Sequence, residues 1–401
     1  MASFRANIIG TGLVSALGRG LPAHARALAT GAMPASPQAP AKFLGQPVPF
    51  LFAAGSGPGD GGALLRMLEA AVGDALTEAA LTPEQQARMG LFVGSTSLDL
   101  PLLESSYMKD YARGAKPLIQ APGYNTLAQA IARRFHIEGP QYTLSTACSS
   151  SANATLHARS MLAQGLIDHA LVVGAEGYNA LSLLGFAGLM LLTRAGYRPF
   201  DRARDGLVLG EGVGAMVLGK NGDAHQFRQP QPGLPAPVIE IGVRPYFSGG
   251  AIIGGATACD PTSPTGATAS RVGDVLAEAL DDAGLAEGDI VAVKAHGTGT
   301  PTNDQAEGQA VMQLFGGKPP PVTAIKPALG HTLGACGVIE VLCVLACWRE
   351  GFLPPTPGFN ETDPDIGLTP VRSGVPLGPG AVLCASTGFG GNNTGLVVAH
   401  P

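Results

Sequence analysis

The chain has 401 residues, of which 45% are hydrophobic and only 14% charged, with a formal net charge of -5. At roughly 150 residues per domain, this length predicts two or three domains or one large duplicated one, with a sizeable core and too little charge to solvate a monomer well, so an oligomer is expected. The acidic balance, without any run of Lys and Arg, excludes a nucleic-acid footprint, and six cysteines in a chain this long do not read as a disulfide framework.

The opening MASFRANIIGTGLVSALG lacks the regions of a signal peptide and predicts a strand running into a glycine turn. Gly10-Thr11-Gly12 faintly resembles a dinucleotide turn. No Asp or Glu precedes Asp60, however, so the ribose-binding acid expected roughly 20 residues further on is missing. Residues 33–49, MPASPQAPAKFLGQPVP, are expected to be irregular.

Residues 72–96 then read as an amphipathic helix, a polar break, a β run, and Gly with small polar residues, and residues 272–298 repeat that order. A second echo joins residues 143–165 to 323–351, each a strand, a turn carrying a reactive residue type, and a long apolar helix. This predicts an α/β fold with mostly parallel sheets in two halves, 1–237 and 238–401. GKNGDAHQFRQPQPGLPAP, just before the boundary, reads as a linker or surface loop. Two apolar stretches fall short of the roughly 20 residues a membrane span needs. Ala180–Thr193 is too short and Gly334–Trp348 carries Glu340, so both are expected to be buried elements of a soluble, cytoplasmic protein.

The segment TLSTACSSS, residues 143–151, places Cys148 at the mouth of a helix. The positive end of a helix macrodipole favours thiolate, and a sharp strand-to-helix turn presents the sulfur outward. That predicts Cys148 to be the only rapidly alkylated thiol. A small buried cysteine filling a gap is the ordinary alternative, and this segment alone does not separate the two.

KAHGTGTPTNDQAE sets His296 at the end of a β run with Asp304 and Glu307 close by. IKPALGHTLGACG sets His331 in an equivalent turn after Lys326. A lone histidine is most often structural. One cysteine and two histidines, each following a strand in a small-residue turn, predict a Cys-His-His constellation. Cys336, Cys343 and Cys347 share an apolar helix without a CxxC pair, which suits packing and not metal ligation. GLVLGEGVGAMVLG (206–219) reads as a β segment with close backbone approach. STGFGGNNTG (386–395) reads as a mobile turn carrying Phe389 near a site, or as a plain glycine hairpin.

STACSSS, RPFDRARDGLVLGEGVGAMVL, HGTGTPTNDQAEGQAV, IKPALGHTLGACGVIE and GFGGNN, together and in this order, resemble the β-ketoacyl-carrier-protein synthases, the condensing enzymes of fatty-acid and polyketide synthesis. The resemblance implies the thiolase-like fold, two βαβαβαββ halves in five layers (α-β-α-β-α), usually dimeric. It implies that Cys148 takes an acyl chain from a carrier-protein or CoA thioester. His296 and His331 would bind the malonyl thioester carbonyl and support decarboxylation. The enolate would then attack the acyl thioester to give a 3-oxoacyl product, CO2 and free carrier.

By the same resemblance, backbone N–H groups of Cys148 and Phe389 form an oxyanion hole. Lys326, with Glu307 or Glu340 as charge partner, orients His331. Thr298 and Thr300 hold the pantetheine arm, and Phe389 with Gly390 forms a gate. No cofactor and no metal are implied. The implied partners are acyl carrier protein and a second subunit, either identical or a related chain-length factor. Thr387 stands where many relatives carry an aromatic residue, Cys336 where they carry Ala, and residues near 221–237 lack the usual charged helix. These departures fit a specialised-metabolite synthase, aryl-polyene or type II polyketide, at least as well as a housekeeping fatty-acid enzyme. A degradative thiolase would need a second cysteine where Gly388 stands. An acyltransferase without decarboxylation is the enzymatic alternative. A non-catalytic partner subunit would lack the three residues present here.

Overall fold

A computed structural model describes residues 4–31, 37–116, 123–220, 249–262 and 267–400. The first strand, β1 (Ala6–Ser15), is buried along nearly its whole length. A helix, α1 (Ala63–Ala79), lies against it and buries Leu64, Met67, Leu68, Ala71, Val72 and Ala75, the spacing of one helical face. The Gly-Thr-Gly of β1 is what lets them touch. A Cβ on Gly12 would stand 1.8 Å from the carbonyl oxygen of Ala71, and one on Gly10 would stand 2.1 Å from that of Ala75. Those glycines serve packing, not a dinucleotide.

The segment expected to be irregular contains a hairpin, β2 (Gln38–Phe43) and β3 (Gln46–Leu51). Its turn residues Leu44 and Gly45 both have positive φ, 49° and 81°, as a two-residue hairpin turn with the native twist requires. The prolines suggested a loop, but proline is compatible with an outer strand, and β3 pairs on its far side only through Phe50 and Leu51.

The chain continues through β4 (Gly90–Gly94), α2 (Leu100–Ala112), α3 (Thr126–Phe135), β5 (Gln141–Leu144), α4 (Ser150–Ala163), β6 (His169–Glu176), α5 (Ala180–Gly188) and β7 (Gly212–Gly219). After the undescribed stretch come β8 (Ala251–Cys259), α6 (Ala269–Ala283), β9 (Ile290–Lys294), α7 (Pro301–Leu314) and β10 (Val322–Thr323). α8 (Cys336–Arg349), β11 (Gly380–Gly388) and β12 (Asn392–His400) complete the series.

Strands β5-β4-β6-β7-β1 are neighbours in that order, and β8-β12-β11-β9-β10 continue the ladder. In the first set β4 is parallel to β5 and β6, while β7 is antiparallel to β6 and β1. In the second set β9 is parallel to β10 and β11, while β12 is antiparallel to β11 and β8. The pairing repeats strand for strand, and β1 meets β8 antiparallel where Ala6 faces Ile252 and Asn7 faces Ala251. Each set is therefore mixed by a single strand: β7 runs antiparallel between β6 and β1, and β12 between β11 and β8, while the other four strands of each set share one direction. The expected linker after residue 220 and the boundary at 237/238 lie outside the described residues.

The layers follow from which faces are apolar. α1 and α3 cover one outer face through a cluster with Leu91, Val93, Leu171 and Val217. α6 and α7 cover the other outer face through Val293, Leu383 and Val397. Between the two sets lie α4 and α8. α8 is buried continuously from Cys336 to Trp348, and a helix without a polar face belongs in the middle of a layered fold. A Cβ on Gly337 would come within 2.5 Å of the Ala152 nitrogen, so α4 and α8 cross nearly backbone to backbone. The result is the α-β-α-β-α arrangement.

α5 is not the buried element expected of Ala180–Thr193. Only Leu183 of that helix is buried, because it rests on one side against the β2–β3 hairpin, and Leu181, Leu189 and Met190 are exposed. No helix of the described residues is long and apolar enough to cross a membrane.

Replacing Gly12 with alanine would force β1 and α1 apart. A thermal or urea denaturation experiment is expected to show a loss of about 2 kcal/mol, typical of overpacking. A Gly12→Ala variant as stable as the wild type would contradict the close approach.

Candidate active site

Cys148 follows Ala147, whose φ of 51° is unusual for a residue with a side chain, and precedes α4. The serines around it tie that elbow down. Ser150 Oγ accepts from the Thr146 N–H at 2.9 Å and donates to the Ala147 carbonyl at 2.6 Å, and Ser149 Oγ donates to the Thr146 carbonyl at 2.8 Å. The neighbouring Cys336 thiol donates to the Cys148 carbonyl at 3.1 Å. The helix start does not deliver the expected thiolate. Cys148 is only 5% exposed, and burial pushes its pKa up to about 11, against the opposing pull of the Lys326 charge and of the backbone N–H groups of Phe389 and Cys148 itself. Desolvation outweighs the macrodipole here.

His296 ends the run after β9, and Glu307 on α7 holds its backbone. The carboxylate accepts from the His296 N–H at 2.5 Å and the Gly297 N–H at 2.8 Å. Burial lifts the Glu307 pKa to about 7. His331 is fixed by its own N–H donating to the Val208 carbonyl at 2.7 Å. Here the glycines of residues 206–219 make the predicted close approach, since a Cβ on Gly210 would lie 2.4 Å from the Leu329 oxygen. The two imidazoles stand at 82° with centroids 5.2 Å apart. Burial first, and then the Lys326 charge, hold both well below the usual histidine pKa, so both are neutral. One donor atom from each of Cys148, His296 and His331 lies within 4.8 Å of the others. That donor set would converge on a cation only beside the Lys326 ammonium, 3.0 Å from His296 Nδ1, which repels one.

Lys326 is fully buried. Its ammonium donates to Glu340 Oε1 at 2.5 Å, to His296 Nδ1 at 3.0 Å and to the His296 carbonyl at 2.7 Å. Of the two charge partners expected, Glu340 is the one it contacts, and the histidine it touches is His296, not His331. Sequence reasoning missed Lys294, whose ammonium donates to Glu340 Oε2 and to the Ala385 carbonyl, each at 2.7 Å. A lysine inside the apolar run IVAVKAH was the available signal.

Asp304 is buried and accepts from the Phe200 N–H at 2.7 Å and the Gly299 N–H at 3.1 Å. This shapes the turn on which the Thr298 and Thr300 hydroxyls meet at 2.9 Å. Phe389 stacks on Phe186 of α5 with centroids 5.5 Å apart. Gly390, φ 74°, and Gly391, φ 73°, make the turn that carries it. Both aromatic rings, both threonines and the Cys-His-His group line one chamber of about 30 Å³. Cys259 is the exposed thiol, the other five being buried, and it donates to the Gly390 carbonyl at 3.2 Å.

Comparison with known proteins agrees with this geometry. Residues 62–224 match the β-ketoacyl synthase N-terminal domain and residues 249–360 match its C-terminal domain. A 3-oxoacyl-[acyl-carrier-protein] synthase 2 of Mycobacterium bovis is 33% identical over 80% of this chain and 77% of its own. A putative polyketide beta-ketoacyl synthase 1 of Streptomyces cyaneus is 31% identical over 79% of this chain and 76% of its own. Among solved structures, the ishigamide ketosynthase/chain length factor superposes with a TM-score of 0.83 at 26% identity, covering 100% of both chains. The chain belongs to the β-ketoacyl synthase family. Its members are acyl-transferring condensing enzymes.

Two outcomes follow from the buried charges. Iodoacetamide is expected to label Cys259 ahead of Cys148, and Cys148 labelling to climb about tenfold per pH unit between about pH 7 and 10, as the thiolate fraction of a high-pKa thiol does. Peptide mapping reads both, and a Cys148 plateau below about pH 8 would show an ionised thiol. Glu340→Leu leaves two buried ammonium groups without their carboxylate and is expected to cost about 3–5 kcal/mol in urea denaturation. A loss under about 1 kcal/mol would contradict the dependence of the two lysines on this carboxylate.

Proposed function

We propose that this chain is a ketosynthase that loads an acyl group onto Cys148 and joins it to a malonyl-carrier thioester by decarboxylative condensation. The observation that carries this is the meeting of Cys148, His296 and His331, with Lys326 on one imidazole nitrogen. An ammonium group only donates, so His296 Nδ1 accepts and the ring proton sits on Nε2. That nitrogen is buried and has no protein partner, so it is free to donate to a thioester carbonyl. Loss of CO2 from a malonyl thioester leaves an electron pair delocalised onto that oxygen as an enolate. Neutral N–H donors placed beforehand stabilise such a charge without waiting for solvent.

The enolate carbon then attacks the acyl carbonyl on Cys148. The oxyanion formed there accepts from the Cys148 and Phe389 N–H groups, and its collapse expels the cysteine sulfur and releases a 3-oxoacyl thioester. Thr298 and Thr300 line the approach for the pantetheine arm. The chamber is too small for an acyl chain, so Phe389 with Gly390 acts as its gate. Asp304, Glu307 and Glu340 hold the backbone and charges behind these groups.

The carrier is acyl carrier protein, as named for the Mycobacterium relative. The second subunit is a copy of this chain or a chain-length factor, as named for the ishigamide pair, and exposed Leu181 of α5, with Leu189 and Met190 just after it, is what such a subunit covers. The same reading divides the chain into halves 1–237 and 238–401, supported by the repeated strand order and by family domains ending at 224 and starting at 249. It places the enzyme in the cytoplasm, in fatty-acid or specialised polyketide and polyene synthesis.

Cys148→Gln is expected to lose acyl loading and still convert malonyl-carrier protein to acetyl-carrier protein, since an amide fills the place of the acyl thioester. His296→Ala or His331→Ala in that background is expected to slow decarboxylation at least about tenfold. Mass spectrometry of the carrier follows each species. Acyl loading of the wild type, with malonyl-carrier protein left intact by both wild type and Cys148→Gln, would establish a simple acyltransferase instead.

A further inference from the structure

Lys294 is a buried charge that the reaction described above does not use. It ends β9, two residues before His296, and its side chain is fully buried. Its ammonium donates to Glu340 Oε2 of α8 and to the Ala385 carbonyl of β11, each at 2.7 Å. Glu340 Oε1 takes Lys326, so one carboxylate faces two ammonium groups. Burying an extra charge is unfavourable, and an apolar side chain of the same length would fill the space without that penalty. The second ammonium therefore calls for a use.

The charges around it show what that use is. Two more buried carboxyl groups, Asp304 and Glu307 of α7, are held by backbone N–H groups of the turn that follows β9. Arg204 is the charge that favours an ionised Asp304, and Lys294 is the one that favours an ionised Glu307. The Cys336 and Cys384 thiols beside Lys294 add no charge, because burial keeps them protonated. With Lys326 as the sole ammonium, Glu340 would cancel it and an ionised Glu307 would leave the region negative. Lys294 reverses that balance. Its charge adds to burial and to Lys326 in keeping both imidazoles unprotonated, whereas Lys326 is the lysine that acts on the Cys148 thiol. Lys294 thus bears mainly on the place where an enolate oxygen would form.

We propose that Lys294 is a positioning residue for the anion formed in the chamber: by taking one oxygen of Glu340 it prevents that carboxylate from cancelling Lys326, and so leaves a positive field on His296 and His331. This rests on the condensing function proposed above. The field favours a malonyl carboxylate and its enolate over neutral thioesters, because charge is stabilised by an opposite charge across a dry, low-dielectric gap.

The first arm of the test needs no condensation. Iodoacetate and iodoacetamide carry the same carbon to a thiol, one with a negative charge and one without. Their rates are measured at about pH 8.5, where part of each thiol is ionised, and peptide mapping reads Cys148 against exposed Cys259 as the internal reference. The wild type is expected to show a higher iodoacetate-to-iodoacetamide ratio at Cys148 than at Cys259. Lys294→Met is expected to lower the Cys148 ratio about tenfold, as loss of one unit charge across several ångströms of protein does, and to leave the Cys259 ratio alone. Lys294→Gln, which keeps an amide donor for the Ala385 carbonyl, should lower it likewise, and Lys294→Arg should preserve it.

The second arm takes kcat/KM for loss of CO2 from malonyl-carrier protein relative to acyl loading of Cys148. That quotient is expected to fall about tenfold in the two neutral variants, whereas a clamp that only holds the fold would depress both rates together. If Lys294→Met fails to fold, Lys294→Gln decides. A Cys148 alkylation ratio unchanged within about twofold in the folded neutral variants overturns the assignment and leaves Lys294 a structural clamp. A wild-type ratio no higher at Cys148 than at Cys259 also overturns it. If the variants lose the preference for iodoacetate but malonyl-carrier protein stays intact even with wild type, the charge assignment stands and the condensing function fails.

Discussion

The structure depends on one buried carboxylate. Glu340 sits in the middle of α8, buried continuously from Cys336 to Trp348, and each of its oxygens receives an ammonium group, Lys326 at 2.5 Å and Lys294 at 2.7 Å. Taking three charges out of water costs several kcal/mol for each ion, and such a group survives only with its remaining valences satisfied. They are. Lys294 also donates to the Ala385 carbonyl of β11, and Lys326 to the His296 carbonyl and ring. The network thus joins the central helix to β9 and β11, the strands that run into the His296 turn and the Phe389 turn. Lys326 also projects a positive field into the chamber. That field opposes protonation of either histidine and pulls against the burial that raises the Cys148 thiol.

The repeated pairing of strands brings two like corners together. α4 and α8 are the matching helices of the two sets, each following a short strand, β5 or β10. The Cys148 elbow lies at the start of α4, and His331 lies in the turn before α8. Because the two helices cross with Gly337 against the Ala152 backbone, their starts are close enough for side chains from both to meet. The repeat has nevertheless diverged. Glu340 and its lysines lie in the second set, and the cysteine lies in the first, so neither set holds all the groups of the site.

Much of this was legible in the sequence. The echoes between residues 72–96 and 272–298, and between 143–165 and 323–351, mark the strand–helix units that repeat in space, because a buried helix and its preceding strand impose apolar periodicity on any sequence. Cys148, His296 and His331 were legible because each follows a strand in a turn of small residues. What escaped were features decided by tertiary surroundings. The Cys148 thiol is protonated because it is buried, which no helix-start argument reveals. Lys294 looks like an ordinary strand residue until Glu340 is placed opposite it. The β2–β3 hairpin was hidden by prolines that an outer strand accommodates. α5 has the composition of a core helix and only one covered side.

The stacked rings of Phe389 and Phe186 line a chamber of about 30 Å³, room enough for water but not for an acyl chain. A thioester parked on Cys148 is an energy-rich bond, and its ordinary fate in bulk solvent is hydrolysis. Behind the paired rings it would meet few water molecules, and those would compete with the incoming extender for the same few hydrogen-bond donors. With Phe389 as the proposed gate, the lifetime of the loaded enzyme would depend on how often the rings part, and yield per carrier would become a question of timing: each opening would admit water as well as extender.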